Sequence, residues 1–531
     1  MKRVSYSDKG LAKLFRPHLM LCGFVFASVL AIAALPADAF AGQAGGGGDA
    51  NFAEEAALLA EAPEEATVIG ESVELCAEAG TVVFTYTQEG RFTICMNESC
   101  GPPVEQVGRD TPVVSPNSRH WAAIVQKDGA ARVMMDGQVS RGYDMVHELL
   151  FSPDSTKLAY VAEDGEEFFV FVNQDRHPSF AAMDAQEGLV FSGDSKHLAY
   201  VAMTGQDDWA VVKNGKPGPD YDEIRHVTFS PDSSRLAYAA RKDDRWHLVE
   251  KGGEENKGPA YDEIRRVAFS PDSEQLAAIA MSDNAAFVIK DGEQSEAYDF
   301  ITGELVFSRD SERLAYSVLD GQQMRMVVDD EPGPAYDEIG AYLFSPDGGE
   351  LAYMANDGGQ GRIVHAGDEH PAYESVGLPV FSPDGTHLAY TAYQDEQWFI
   401  IKDGEKTGPE FDNIQDPVFC PDGERMAHVA LMDDAYVVVG DGEVLGTYLW
   451  AGNPGFSPGG DLVYTAADED GSFLAVEGRA GKERFFTFLR GFPPVFVEDD
   501  VVQAIALRAE GSAFYLLRAE IGTQIGTEIE D

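Results

Sequence analysis

The chain has 531 residues, with 91 Asp and Glu against 39 Lys and Arg and a formal charge of −52. That surplus of negative charge excludes nucleic acid and anionic membrane surfaces as direct partners. Aromatic residues make up 11% and apolar residues 44%, enough for large cores, so the charge belongs to folded surface and not to a disordered chain. The 54 Gly and 27 Pro favour many short turns over long helices.

At the N-terminus, Lys2, Arg3, Lys9, Lys13 and Arg16 precede an apolar run over 19–35. The small-residue sites Ala37-Asp38-Ala39 and Ala39-Phe40-Ala41 follow. This order predicts an export signal over 1–41 and a periplasmic or secreted protein. The competing reading is an uncleaved membrane anchor over 19–35, because the run is long for a signal core and near the lower limit for a span. Residues 1–41 carry a net +3, which leaves −55 on the rest. Residues 42–67, Gly-rich and then Ala/Glu-rich, read as a flexible linker with a short marginal helix. Cys95 and Cys100 flank Met-Asn-Glu-Ser and can form a disulfide if their flanks pair as strands; otherwise they are two free thiols. No cysteine spacing matches covalent haem or structural zinc.

The strongest signal is an internal repeat. Phe151-Ser-Pro-Asp-Ser recurs from Phe229 and Phe269 and returns as Phe-Ser-Pro-Asp-Gly from Phe344 and Phe381, with weaker copies at Val114, Phe191, Phe307, Phe419 and Phe456. Most copies continue into Leu-Ala-Tyr, as at Leu158, Leu198 and Leu388, then a polar turn, then a run such as Trp398-Phe-Ile-Ile. Many units close on Gly-Pro-x-Tyr-Asp-Glu-Ile, as at Gly218, Gly258 and Gly333. Pro-Asp-Ser/Gly suits a tight turn, because Pro presets its dihedral, Asp bonds nearby amides and Gly accepts positive φ. Each unit thus offers four short strands: one ending at Phe-Ser, Leu-Ala-Tyr onward, the aromatic-aliphatic run, and Tyr-Asp-x-Ile. Their continuous apolar character fits sheets covered on both faces. The Ala of Leu-Ala-Tyr suits strands converging on an axis. An all-β fold, a β-propeller of about 11–12 four-stranded blades of ~38 residues, is the natural reading.

The Phe-Ser-Pro-Asp-Gly-x-x-Leu-Ala-Tyr unit resembles the WD40-like (PD40) repeat of TolB-type β-propellers, over roughly residues 70–518. It departs from true WD40 repeats, since neither Trp-Asp nor Gly-His pairs occur. The resemblance implies an exported scaffold that binds protein, and it is weak on function because such propellers serve many roles. Twelve blades in one ring leave a wide hole, so two six-bladed propellers, 68–305 and 306–520, are preferred. Seven plus five, or one large ring, are the alternatives. Residues 521–531 read as an acidic tail.

Catalytic signals are weak. Gly455-Phe456-Ser457-Pro458-Gly459 matches a nucleophile elbow in letters only, because its Ser holds the ordinary repeat position. His197 and His387 occupy equivalent places before Leu-Ala-Tyr, which favours solvated strand entries over metal ligation. Asp468-Glu469-Asp470-Gly471 looks like a fragment of a calcium loop without its later ligands. Cys420 stands where other copies have Ser and reads as a small buried substitute. No catalytic residue, cofactor or metal is assigned. An enzyme of lyase, cyclase or hydrolase type with a central-channel site, and a cation or small-ligand sensor, are the competing readings.

Copies differ most between their second and third strands. These turns carry Asp207, Asp208 and Trp209; Asp243, Asp244 and Trp246; Asp395, Glu396 and Trp398; and Asp433, Asp434 and Tyr436. Acid beside an aromatic can receive a basic protein segment through charge steering and cation–π contact. The alternative is that the aromatics pack between blades and the acids are merely solvated. The reading is an exported non-catalytic scaffold for a protein partner, with membrane contact only if 19–35 remains as an anchor.

Overall fold

A computed structural model describes residues 53–521 apart from 64–65, 77–78, 206, 252–254, 489–493, 499 and 509–512. The export signal or anchor of 1–41 and, but for Ile521, the acidic tail lie outside these residues. All regular elements among the described residues are strands, arranged in twelve antiparallel sheets. The blades are numbered 1 (67–100), 2 (106–139), 3 (145–180), 4 (190–217), 5 (223–261), 6 (263–294), 7 (300–336), 8 (338–369), 9 (375–411), 10 (413–448), 11 (450–480) and 12 (487–520). Sheets with a fifth strand have a first strand in two pieces, as Phe300–Ile301 and Val306–Phe307 both pair with Leu314–Asp320.

Blade 5 shows the plan: Glu223–Phe229, Leu236–Lys242, Arg245–Lys251 and Glu255–Tyr261 in simple order. First strands of neighbouring blades approach each other, as Glu223–Phe229 does Glu263–Phe269, so they surround the axis. Tyr-Asp-x-Ile is not a fourth strand but the junction of two blades: Tyr221 bridges to Trp209 of blade 4, while Ile224 pairs with Ala240 inside blade 5. The fourth strand lies before the Asp, includes the Gly-Pro and ends on the Tyr, as in Glu331–Tyr336.

The Ala of Leu-Ala-Tyr also has a different cause from the one expected. It lies in the second strand, away from the axis. Side chains alternate along this strand, and both sets are buried. In blade 4, Leu198, Tyr200 and Ala202 face Ala159 and Val161 of blade 3, whereas Ala199 and Val201 face Leu236 and Tyr238 of blade 5. Each blade's Tyr therefore packs against the preceding blade's Ala, and the small residue makes room for the ring. Complementary sizes of this kind maintain crystal-like packing across the junctions that carry the Tyr.

The ring closes through a segment that reads as linker in the sequence. Ala53–Glu61 is a strand paired antiparallel with Ala513–Glu520, with Ala53 opposite Glu520 and Glu61 opposite Ala513. It supplies the outer strand of blade 12, so the first described residues clasp the last. Phe84 of blade 1 packs on Phe514 of blade 12, ring centroids 5.0 Å apart, within one core cluster. The Glu54 carboxylate adds a latch by accepting backbone N–H groups of Lys482 and Glu483 at 2.6 and 2.9 Å. The preferred division near residue 305 meets no gap in packing: Ile279 and Val288 of blade 6 share a core with Tyr316 and Val327 of blade 7. The twelve blades form a ring, the large-ring alternative of the sequence reading.

Candidate interaction face

Antiparallel blades place the first-to-second and third-to-fourth turns on one face, and the second-to-third turns and blade junctions on the other. On the first face the recurring turn aspartates are engaged internally. In Ser230-Pro231-Asp232-Ser233 the Ser233 N–H donates to Ser230 O, and the Ser230 hydroxyl donates to Asp232 Oδ1 at 2.6 Å. That hydroxyl, then the backbone N–H and hydroxyl of Ser234, hold the Asp232 carboxyl down at about 2. The third-to-fourth turns do the same work with a second acid: Asp291 Oδ1 accepts the Leu276 N–H and Asp403 Oδ1 the Leu388 N–H, both at 2.9 Å.

On the opposite face the second-to-third turns put two consecutive residues at positive φ: Asp243 and Asp244, Asp395 and Glu396, Asp433 and Asp434. This is the mirror-image hairpin turn, which favours Asp and Asn, so part of the local acidity has a backbone cause. The junction acid anchors each turn. Asp222 accepts the Asp243 N–H at 2.9 Å, Glu374 that of Asp395 at 3.1 Å, and Asp412 that of Asp433 at 3.0 Å. The turn carboxylates themselves point to solvent. Among the described residues, Asp207, Asp243, Asp395, Glu396, Asp433 and Asp434 are exposed and have no ion pair. Asp208 pairs with Lys242 at 3.5 Å and Asp244 with Arg241 at 3.3 Å.

The aromatics beside these acids face inward. Trp246 is buried in the junction with blade 6, under the Arg225 guanidinium at 5.0 Å. Trp209 and Tyr436 are half-buried against the next junction's core, and Trp398 lies 5.1 Å from Tyr393. The predicted residues of blades 4 and 5 form one acidic patch and those of blades 9 and 10 another, on nearly opposite sides of the ring.

Other sequence candidates fall into structural roles. Ser457 is fully buried, and its hydroxyl accepts the Asp461 N–H at 2.9 Å. His197 stacks on Phe229 with 6.3 Å between centroids, and His387 Nδ1 lies 2.7 Å from Asp403 Oδ2. Asp468 accepts the Asp470 N–H and pairs with Arg484 at 3.2 Å. No cluster of three metal-ligating side chains occurs among the described residues. Cys95 and Cys100 are directly opposite in blade 1 and disulfide-bonded, Cα atoms 4.0 Å apart; Cys420 is buried and free.

Two residues escaped the sequence reading. Leu449 and Phe486 occupy the junction position that carries an acid in most blades, and they are exposed by 58% and 64%. Aligning the copies on Tyr-Asp, instead of on Ser-Pro-Asp, would have revealed them.

No protein-family model and no curated protein matches the chain, so the TolB-type resemblance has no family match behind it. Solved structures similar to it include a eukaryotic initiation factor, at 13% identity over 62% of this chain and 96% of that one, TM-score 0.35. The β-propeller domain of Myceliophteria thermophila Cps50 (Swd1) is 13% identical over 48% and 94%, TM-score 0.23. The Dos1 propeller is 11% identical over 57% and 93%, TM-score 0.28. The propeller assignment rests on the strand pairing described above.

Proposed function

We propose that this chain is an exported, non-catalytic scaffold that binds a basic protein through its face of second-to-third turns. The observation that carries the reading is the contrast between faces. The recurring turn aspartates of the Ser-Pro-Asp face are engaged in turn hydrogen bonds, whereas Asp395, Glu396, Asp433 and Asp434 on the other face are exposed and have no ion pair among the described residues. Uncompensated charge on a rigid frame steers an oppositely charged partner and fixes its register. The export-type N-terminus and the Cys95–Cys100 disulfide support an oxidising compartment. The TolB-type likeness of the repeat agrees with a periplasmic scaffold.

The test is capture of partners by the full chain from its own cell envelope at rising salt, beside the variant Asp395→Asn/Glu396→Gln/Asp433→Asn/Asp434→Asn. The expected result is a basic partner released by salt and weakened on the variant. A partner held equally by both proteins at high salt would overturn the reading.

A further inference from the structure

We propose that Leu449 and Phe486 form an anchor for a protein segment that carries an apolar side chain between Lys or Arg residues. The inference rests on the binding face above and specifies the chemistry of its partner. In most blades the residue after the closing aromatic is an acid that caps the neighbouring turn, as Asp337 caps the Gly358 N–H and Asp412 that of Asp433. Blades 11 and 12 keep the backbone of this junction but lose the acid. Leu449 N–H still donates to Ala467 O at 3.0 Å, and Phe486 N–H to Leu507 O at 2.8 Å. Only the side chains differ, and they are the two most exposed large apolar residues among those described. Core packing does not explain them.

Their placement gives the patch its chemistry. Leu449 is bonded to the residue that enters the blade 11 turn, and Phe485 bridges to Ser472, which leaves it. Leu449 and Phe486 therefore flank Glu469 and Asp470, both exposed and without an ion pair among the described residues. An apolar side chain seated on the patch brings its neighbours beside those carboxylates, which selects Lys or Arg. Two side chains bury on the order of 200–300 Å², far below the ~800 Å² per partner of a stable dimer. A second copy would also bring the same acidic turns together. A short basic-apolar segment fits both limits.

The probes are two labelled peptides, Arg-Lys-Ser-Phe-Ser-Lys-Arg and the same peptide with Ser for Phe, titrated against the full chain by fluorescence anisotropy. The variant Leu449→Asp/Phe486→Asp restores the acid of other blades, and thermal unfolding confirms its fold. Wild-type protein should bind the Phe peptide about tenfold more tightly than the Ser peptide. In the variant that preference should vanish while the Ser peptide binds more tightly, because negative charge has been added. Equal binding of both peptides by wild type overturns the anchor and leaves the acidic-face reading standing; binding of neither overturns both. A Phe preference that survives in the variant overturns the anchor. So does self-association in sedimentation, or adsorption to phosphatidylcholine vesicles, that the variant abolishes, since the occupant is then a second copy or a lipid surface.

Discussion

Two arcs of the ring solve the same junction differently. From blade 2 to blade 7 the turns are linked by serine: the N–H of Asn117 donates to Ser155 Oγ, Asp154 to Ser195, Asp194 to Ser233, Asp232 to Ser273 and Asp272 to Ser311, each at 2.9 Å. From blade 8 to blade 11 the acceptor position is Gly348, Gly385, Gly423 or Gly460, and this link is absent. Both residue types hold positive φ there, 67° at Ser233 and 81° at Gly423. Serine accepts some backbone strain and gains a bond between blades; glycine avoids the strain and forgoes the bond. A second tie is shared by both arcs, since Arg235 reaches Ser273 O at 2.7 Å and Arg425 reaches Gly460 O at 2.8 Å. The glycine arc thus keeps its side-chain straps and lacks the serine bond between blades.

The largest effect is expected in blade 10, where the glycine arc departs furthest from the repeat. His428 takes the place of the buried Tyr and Phe411 that of the closing Tyr. In two other blades those two rings share hydroxyls, Tyr143 with Tyr160 at 3.0 Å and Tyr448 with Tyr464 at 2.6 Å. Here neither nitrogen of His428 has a hydrogen-bond partner among the described residues, the residue is 2% exposed, and burial pushes its pKa down to about 4. The folded blade favours the neutral ring, so the unfolded chain takes up the proton first. Stability is complete above pH 6.5 and falls as the pH drops towards 4, by about 3 kcal/mol. Unfolding measured between pH 7 and 4 should show this loss, and His428→Tyr should remove it. An unchanged acid limb in that variant would assign the loss to other groups.

Next in size is Gly423→Ser. A Cβ there would lie 2.6 Å from Asp384 Oδ1, an oxygen already held by Ser382 and Thr386. Displacing it should cost about 2 kcal/mol, seen as a lower denaturation midpoint. On the other arc Ser233→Ala removes the acceptor of the Asp194 N–H and should cost about 1 kcal/mol. Hydrogen exchange at Asp194 should then accelerate about fivefold. Ser233→Gly should cost less, because it loses the same bond but relieves the positive φ.

The blades were legible because their turns are local: Pro-Asp-Ser fixes a hairpin within five residues, and ten copies repeat it. Closure was not legible. Ala53–Glu61 is rich in Ala, Leu and Glu, good helix formers, and becomes a strand only because Ala513–Glu520 offers an unpaired edge. No short-range signal encodes a contact between opposite ends of the chain. The acidic turns were visible as acidic, but the inward course of Trp246 depends on a junction with the next blade. The number of rings depends on how neighbouring blades pack, as Tyr238 on Ala199 shows, and uniform spacing carries no trace of it.

The smallest expected effect tests the comparison most directly. At Gly385 a Cβ would meet Asp347 at 3.5 Å, ordinary contact, and its φ of 76° lies near the range the ring's serines adopt. Gly385→Ser should therefore carry the serine link into the glycine arc, with its hydroxyl accepting the Asp347 N–H. The gained bond and the added strain are each about 1 kcal/mol, so global stability should change by less than about 0.5 kcal/mol. The local readout is sharper, because exchange at the Asp347 amide should slow severalfold although the denaturation midpoint hardly moves. A stable variant without added protection would show that the arcs differ in the spacing of their blades. Protection gained at Asp347 would show that they differ only in one side chain.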